Sequence, residues 1–176
     1  MRRRAFLQGS SVLLGSSALG SVLEAFAQTP SPGPRKATFF SESELRTLAA
    51  LVDTILPATD SPAASAADTH YFIDLAIPAC ATPAAQETFR KGLRAFATKS
   101  FDKLAPDKRV ALLKARAEKD QTPAYDQSFF KILKDYTLSG YFLSETGATK
   151  ALAYEQVPGG FWGDLPLQPD QKAWAI

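Results

Sequence analysis

Cysteine and histidine are almost absent from this chain of 176 residues, which carries one of each, Cys80 and His70. A single cysteine excludes an internal disulfide and an iron–sulfur cluster held by the chain's own thiolates. One histidine leaves no zinc ligand set. No G-x-G-x-x-G, P-loop, G-x-S-x-G or C-x-x-C-H motif occurs, which speaks against a self-contained flavin, nicotinamide or haem c enzyme. A charge excess is also missing, with 20 basic against 18 acidic residues. No basic stripe with interleaved aromatics is present, so nucleic acid is not an expected partner. Period-2 strand segments, repeats and heptads are absent as well, which leaves helices as the material of the fold.

What is present begins at the N-terminus. Arg3-Arg4-Ala5-Phe6-Leu7-Gln8 is close to the twin-arginine export signal R-R-x-F-L-K, with Gln8 in place of the lysine. Arg2, Arg3 and Arg4 make a charged start. Residues 12–22 make a weakly apolar stretch, and Ala25-Phe26-Ala27 offers small residues at the two positions a signal peptidase reads. The stretch is short of the roughly 20 apolar residues of a membrane span. The expected signal is therefore Arg3, Arg4, Phe6 and Leu7 within a leader over 1–27. Its removal would take away three arginines and Glu24 and leave a chain without net charge. The twin-arginine route carries proteins that have already folded, which places the protein in the periplasm or on the periplasmic face of the inner membrane.

Residues 28–38 read as a linker, because Pro30, Pro32 and Pro34 alternate and favour an extended spacer. Residues 39–176 read as one all-α domain of five or six helices with an irregular C-terminal tail. Ser41-Glu42-Ser43-Glu44 is a capping box that opens a helix ending before Pro57, with Leu48, Val52 and Ile55 on its inner face. His70 to Leu75 restarts a short helix expected to stop before Pro78. Pro83 and Pro106 suit the first position of the next two helices. The first of these turns Phe89, Leu93 and Phe96 inward. The longest aromatic helix is expected from Asp126 to about Leu143, with Phe129, Leu133, Tyr136 and Gly140 in one stripe. Leu138 and Phe142 project from the opposite side, which fits a central helix or one partly covered by a partner. Residues 147–154 read as one further helix, and the Gly/Pro-rich stretch from Val157 on disfavours regular structure.

Catalytic groups are hard to find. His70 with Asp68 or Asp74 can be drawn as an acid–base pair. The plainer reading is a histidine at a helix start, partly buried and hydrogen-bonded. Cys80 as a nucleophile needs a histidine in reach, and His70 is ten residues away, so an inert thiol is the favoured reading. Asp53, Asp60 and Asp68 do not have the spacing of a calcium loop. Caps and loop hydrogen bonds are the expected uses of these carboxylates. Glu145 reads as a brace for the turn between two helices.

Two segments carry a family likeness. In residues 48–75 it centres on I-L-P-A-T-D-S-P, residues 55–62. In residues 129–161 it centres on T-L-S-G-Y-F-L-S-E-T-G-A, residues 137–148. Together they resemble the gluconate 2-dehydrogenase subunit 3 family, small exported helical proteins that accompany a flavin-dependent sugar or polyol dehydrogenase. The resemblance implies a large flavoprotein partner that holds FAD, a cytochrome c subunit with haem c at the membrane, and no cofactor or catalytic residue in this chain. The small subunit would help the large one fold and carry it through the twin-arginine route. Relatives of this type often have a cysteine after the V-P-G segment. Asp164 stands near that place here and Cys80 has no evident mate, so no disulfide carries over.

The expected function is thus a non-catalytic accessory subunit. A redox component holding a cofactor between its helices, and a free-standing periplasmic binding module, are the alternatives. Leu138, Phe142, Phe161 and Trp162 are candidates for the partner interface. The competing reading folds the tail back over the helices and buries all four.

Overall fold

The computed structural model describes residues 36–121, 128–155, 159–160, 166 and 169–175. The leader residues Arg3, Arg4, Phe6 and Leu7, the tail residues Phe161, Trp162 and Asp164, and most of the linker lie outside this set. Five α-helices make the body: α1 (Glu42–Ile55), α2 (Thr69–Cys80), α3 (Pro83–Ala97), α4 (Pro106–Lys119) and α5 (Phe129–Phe142). Short 3₁₀ turns at Ala64–Ala67 and Phe101–Lys103 join them, and a π-turn at Gly147–Ala151 follows α5. No strand occurs among the described residues, so the all-α reading holds.

Local chemistry sets the helix starts. The Ser41 hydroxyl accepts from the Glu44 amide while the Glu44 carboxylate accepts from the Ser41 amide, which satisfies two donors at the open end of α1. Thr82 caps α3 ahead of Pro83, and Pro106 opens α4. Two expected boundaries differ. α2 runs through Pro78 to Cys80, because the Gln86 side-chain amide donates to the carbonyls of Pro78 and Ala81 and holds the last turn from α3. α5 begins at Phe129 and not at Asp126, because Ser128 is extended and its hydroxyl accepts from the Lys131 amide. The helix expected over 147–154 is only the π-turn, ended by Leu152 in extended backbone.

α1 and α5 each pack against the other four helices and form the centre of the bundle. Five phenylalanines run through the core, each ring 5.1–5.7 Å from the next: Phe40, Phe89, Phe129, Phe96 and Phe101. Such offset and edge contacts add roughly 0.5–1.5 kcal/mol per pair beyond area burial. Leu48, Val52, Phe89, Leu93, Phe96, Phe129 and Leu133 are buried as the spacing predicts. Ile55 and Tyr136, expected in the core, are only half-buried and pack on its edge.

Candidate functional site

Thr38, Phe39 and Phe40 follow the proline-rich stretch in sequence. All three are held by one side chain, the buried Asp74 of α2. Its Oδ2 accepts from the Thr38 amide (2.7 Å) and hydroxyl (2.6 Å), and its Oδ1 accepts from the amides of Phe39 (3.0 Å) and Phe40 (2.7 Å). Arg90 of α3 completes the clasp. Its guanidinium lies 4.2 Å from the Phe39 ring centre and donates to the Phe39 carbonyl at 3.1 Å. Four residues after Phe40, burial pulls the Glu44 carboxyl upward. Hydrogen bonds from the Ser41 amide and the Arg94 guanidinium outweigh that pull and hold it below the usual carboxylate range.

Three further carboxylates are engaged within the scaffold. Asp53 accepts from the amide and hydroxyl of Ser65, both at 2.7 Å, and ties α1 to the following 3₁₀ turn. Asp120 accepts from the Phe130 amide (2.9 Å) and pairs with Arg116 (2.8 Å). Asp60 is exposed and accepts from the Thr59 hydroxyl, which lowers its pKa. The loop and capping uses expected for Asp53 and Asp60 are what the structure shows.

Neither His70 with Asp74 nor His70 with Cys80 is set up as a catalytic pair. His70 and Asp74 are one turn apart on α2, but both Asp74 oxygens serve residues 38–40. His70 and Cys80 lie ten residues apart on the same helix, which is about 15 Å of rise. Cys80 is a free, half-buried thiol. Burial, and then the nearby Cys80, push the Tyr136 phenol upward. Among the described residues no three His, Cys, Asp or Glu side chains are grouped to hold a metal ion. Glu145 is exposed, and its carbonyl accepts from the Thr149 hydroxyl.

The two segments that carried the family likeness meet in space. The Tyr141 hydroxyl donates to the Pro62 carbonyl at 2.8 Å, across 79 residues of sequence. Ser144 donates to the Tyr141 carbonyl and accepts from the Gly147 amide, which closes the turn after α5. Gly147 is required there, since a Cβ would lie 1.9 Å from the Tyr141 carbonyl oxygen.

Exposed apolar side chains gather at the same end of the chain. Phe142 is 37% exposed and Leu143 51%, while Leu138 is half-buried. The C-terminal segment returns to the body, where Ala153 exchanges two 2.8 Å hydrogen bonds with Ala173 and Ala175. Tyr154 and Trp174, which flank that bridge, remain 59% and 57% exposed. The return of the tail therefore leaves Phe142, Tyr154 and Trp174 open.

Residues 42–159 match the family described as Gluconate 2-dehydrogenase subunit 3, and with most of its length so covered the chain belongs to that family. No curated protein and no solved structure matches it. The chain is accordingly a subunit of a dehydrogenase complex. Among the described residues no helix is long and apolar enough to cross a membrane.

Proposed function

We propose that this chain is the non-catalytic small subunit of a flavin-dependent sugar or polyol dehydrogenase, which it helps to fold and carries to the periplasm on its own twin-arginine leader. The family match over 42–159 carries the reading. The inward-facing carboxylates support it, because Asp53, Asp74 and Asp120 all bind backbone or side chains of the scaffold. In this reading FAD belongs to the large subunit and haem c to a cytochrome subunit that receives its electrons at the membrane. Leu138, Phe142, Phe161 and Trp162 are the proposed contacts with the large subunit, and the exposure of Phe142 suits such a role.

The test is co-expression of the full chain with a candidate large flavoprotein dehydrogenase from the same organism, followed by purification on a tag carried by this chain. The expected result is a colourless small subunit bound to a larger protein with flavin absorbance. Flavin or haem absorbance that stays with the separated small chain would overturn the non-catalytic reading.

A further inference from the structure

α4 is the outermost of the five helices. It gives the interior one buried side chain, Leu113, while each of the others gives at least four residues. Two apolar grooves flank it. The first has a volume of about 320 Å³ and lies against α3, floored by Phe96 and Leu112, with Lys99, Arg116 and Lys119 along it. The second, of about 220 Å³, lies between α4, the end of α1 and the start of α5. Its floor is Ile55, Val110, Leu113 and Phe130, and Lys114 and Lys134 line it. Val110 is 39% exposed there.

Five cations thus line two apolar grooves. Arg116 is paired with Asp120. Lys99, Lys114, Lys119 and Lys134 form no ion pair among the described residues. The exposed crest between the grooves carries Ala111 and Ala115, small enough for close approach, with Asp107 and Glu118 near its ends.

We propose that α4 is a docking element for the large dehydrogenase subunit, and that the partner meets it with apolar side chains set in an acidic face. This rests on the accessory-subunit reading above. Uncompensated lysines select an acidic partner and raise its association rate. The concavity selects a protein over an anionic lipid surface, because interfacial helices protrude apolar side chains into the headgroup region. Asp107 and Glu118 on the crest would face lipid phosphates with like charge, whereas a protein can place its own cations against them. Lys134 and Phe142 are eight residues apart, about 12 Å along α5. One interface of ordinary size, about 800 Å² per partner, therefore reaches both α4 and the aromatic end of α5.

The test uses the double variant Lys114→Glu with Lys134→Glu, in the full chain co-expressed with the large subunit. Binding is measured at low and high salt, and thermal stability is measured on the small subunit alone. The expected result is an unchanged melting temperature and binding weakened by about tenfold or more at low salt, with the gap narrowing as salt rises. Equal binding of variant and wild type would overturn the docking role of α4 while leaving the accessory reading intact. A wild-type chain that binds no flavoprotein would instead remove that reading and the proposal with it. A melting temperature lowered enough to account for the lost binding would show that the lysines serve the fold and not the interface, and would also overturn it. Vesicles of phosphatidylglycerol are the remaining arm. Vesicle binding lost by the variant while the complex stays intact would assign the lysines to lipid.

Discussion

Asp74 shows how much one residue does at the entrance to the fold. Four donors from three consecutive residues converge on its carboxylate. Removing it strands the buried Phe40 amide and frees the half-buried Phe39. Asp74→Ala is expected to cost about 2–4 kcal/mol in urea denaturation, since charge-assisted hydrogen bonds and unsatisfied buried donors are individually worth roughly 1–3 kcal/mol. Asp74→Asn should lose most of that too, because an amide turns an N–H toward groups that are themselves donors. An Asn variant as stable as the wild type would show that the carboxylate is not needed. This role was not legible in the sequence. Asp74 sits in an apolar helical run, and its partners are 34–36 residues away. Asp53 was closer to legible, because a carboxylate at the rim of a helix face before an Ala/Ser loop suggests a loop hydrogen bond. Ser65 supplies it.

The helices were read from their ends and their periods, and the reading succeeded where the signal was local. The Ser41 capping box, Pro83 and Pro106 each act within one turn, so sequence alone placed them. It failed where another element intervenes. The turn after Pro78 stays helical with Gln86 of α3 donating to the carbonyls of Pro78 and Ala81 at the helix end. Tyr136 shares the stripe of Leu133, yet it is half-buried at the edge of the core. The contact between α3 and α5 was also invisible, although it depends on Gly92. A Cβ at that position would lie 2.1 Å from Phe129 Cδ2. The Phe129 ring is fully buried between Phe89 and Phe96 and has no room to move aside. Gly92→Ala gains about 1 kcal/mol of helix propensity. It loses more to overpacking, typically 1–3 kcal/mol and greater where a ring is trapped. A net loss of thermal stability is expected, read by the melting temperature of the purified chain. A higher melting temperature would mean that α3 and α5 stand further apart than this packing requires.

On the scale of the whole molecule, charge is unevenly placed although the expected mature chain has little net charge. The basic residues crowd α3, α4 and the turn between them, while Glu42, Glu44, Asp53 and Asp74 lie on α1 and α2. The proposed leader carries Arg2, Arg3 and Arg4, which in sequence precede the proline-rich stretch and the residues that Asp74 holds. Under the proposed function, a body whose described part is held together from residue 38 on would fold, bind its partner and then be exported as a complex. Arg3→Lys with Arg4→Lys tests this directly. The pair keeps both positive charges, so a simple electrostatic role would survive. It loses the planar guanidinium forks that hydrogen-bond a receptor in two directions. The expected outcome is that this chain and the large subunit both remain in the cytoplasm, as read by cell fractionation with a partner that has no leader of its own. The complex should still form there, because the folded body is untouched by the change. If the flavoprotein reached the periplasm while this chain stayed inside, the two would travel separately and the carrier role would be lost.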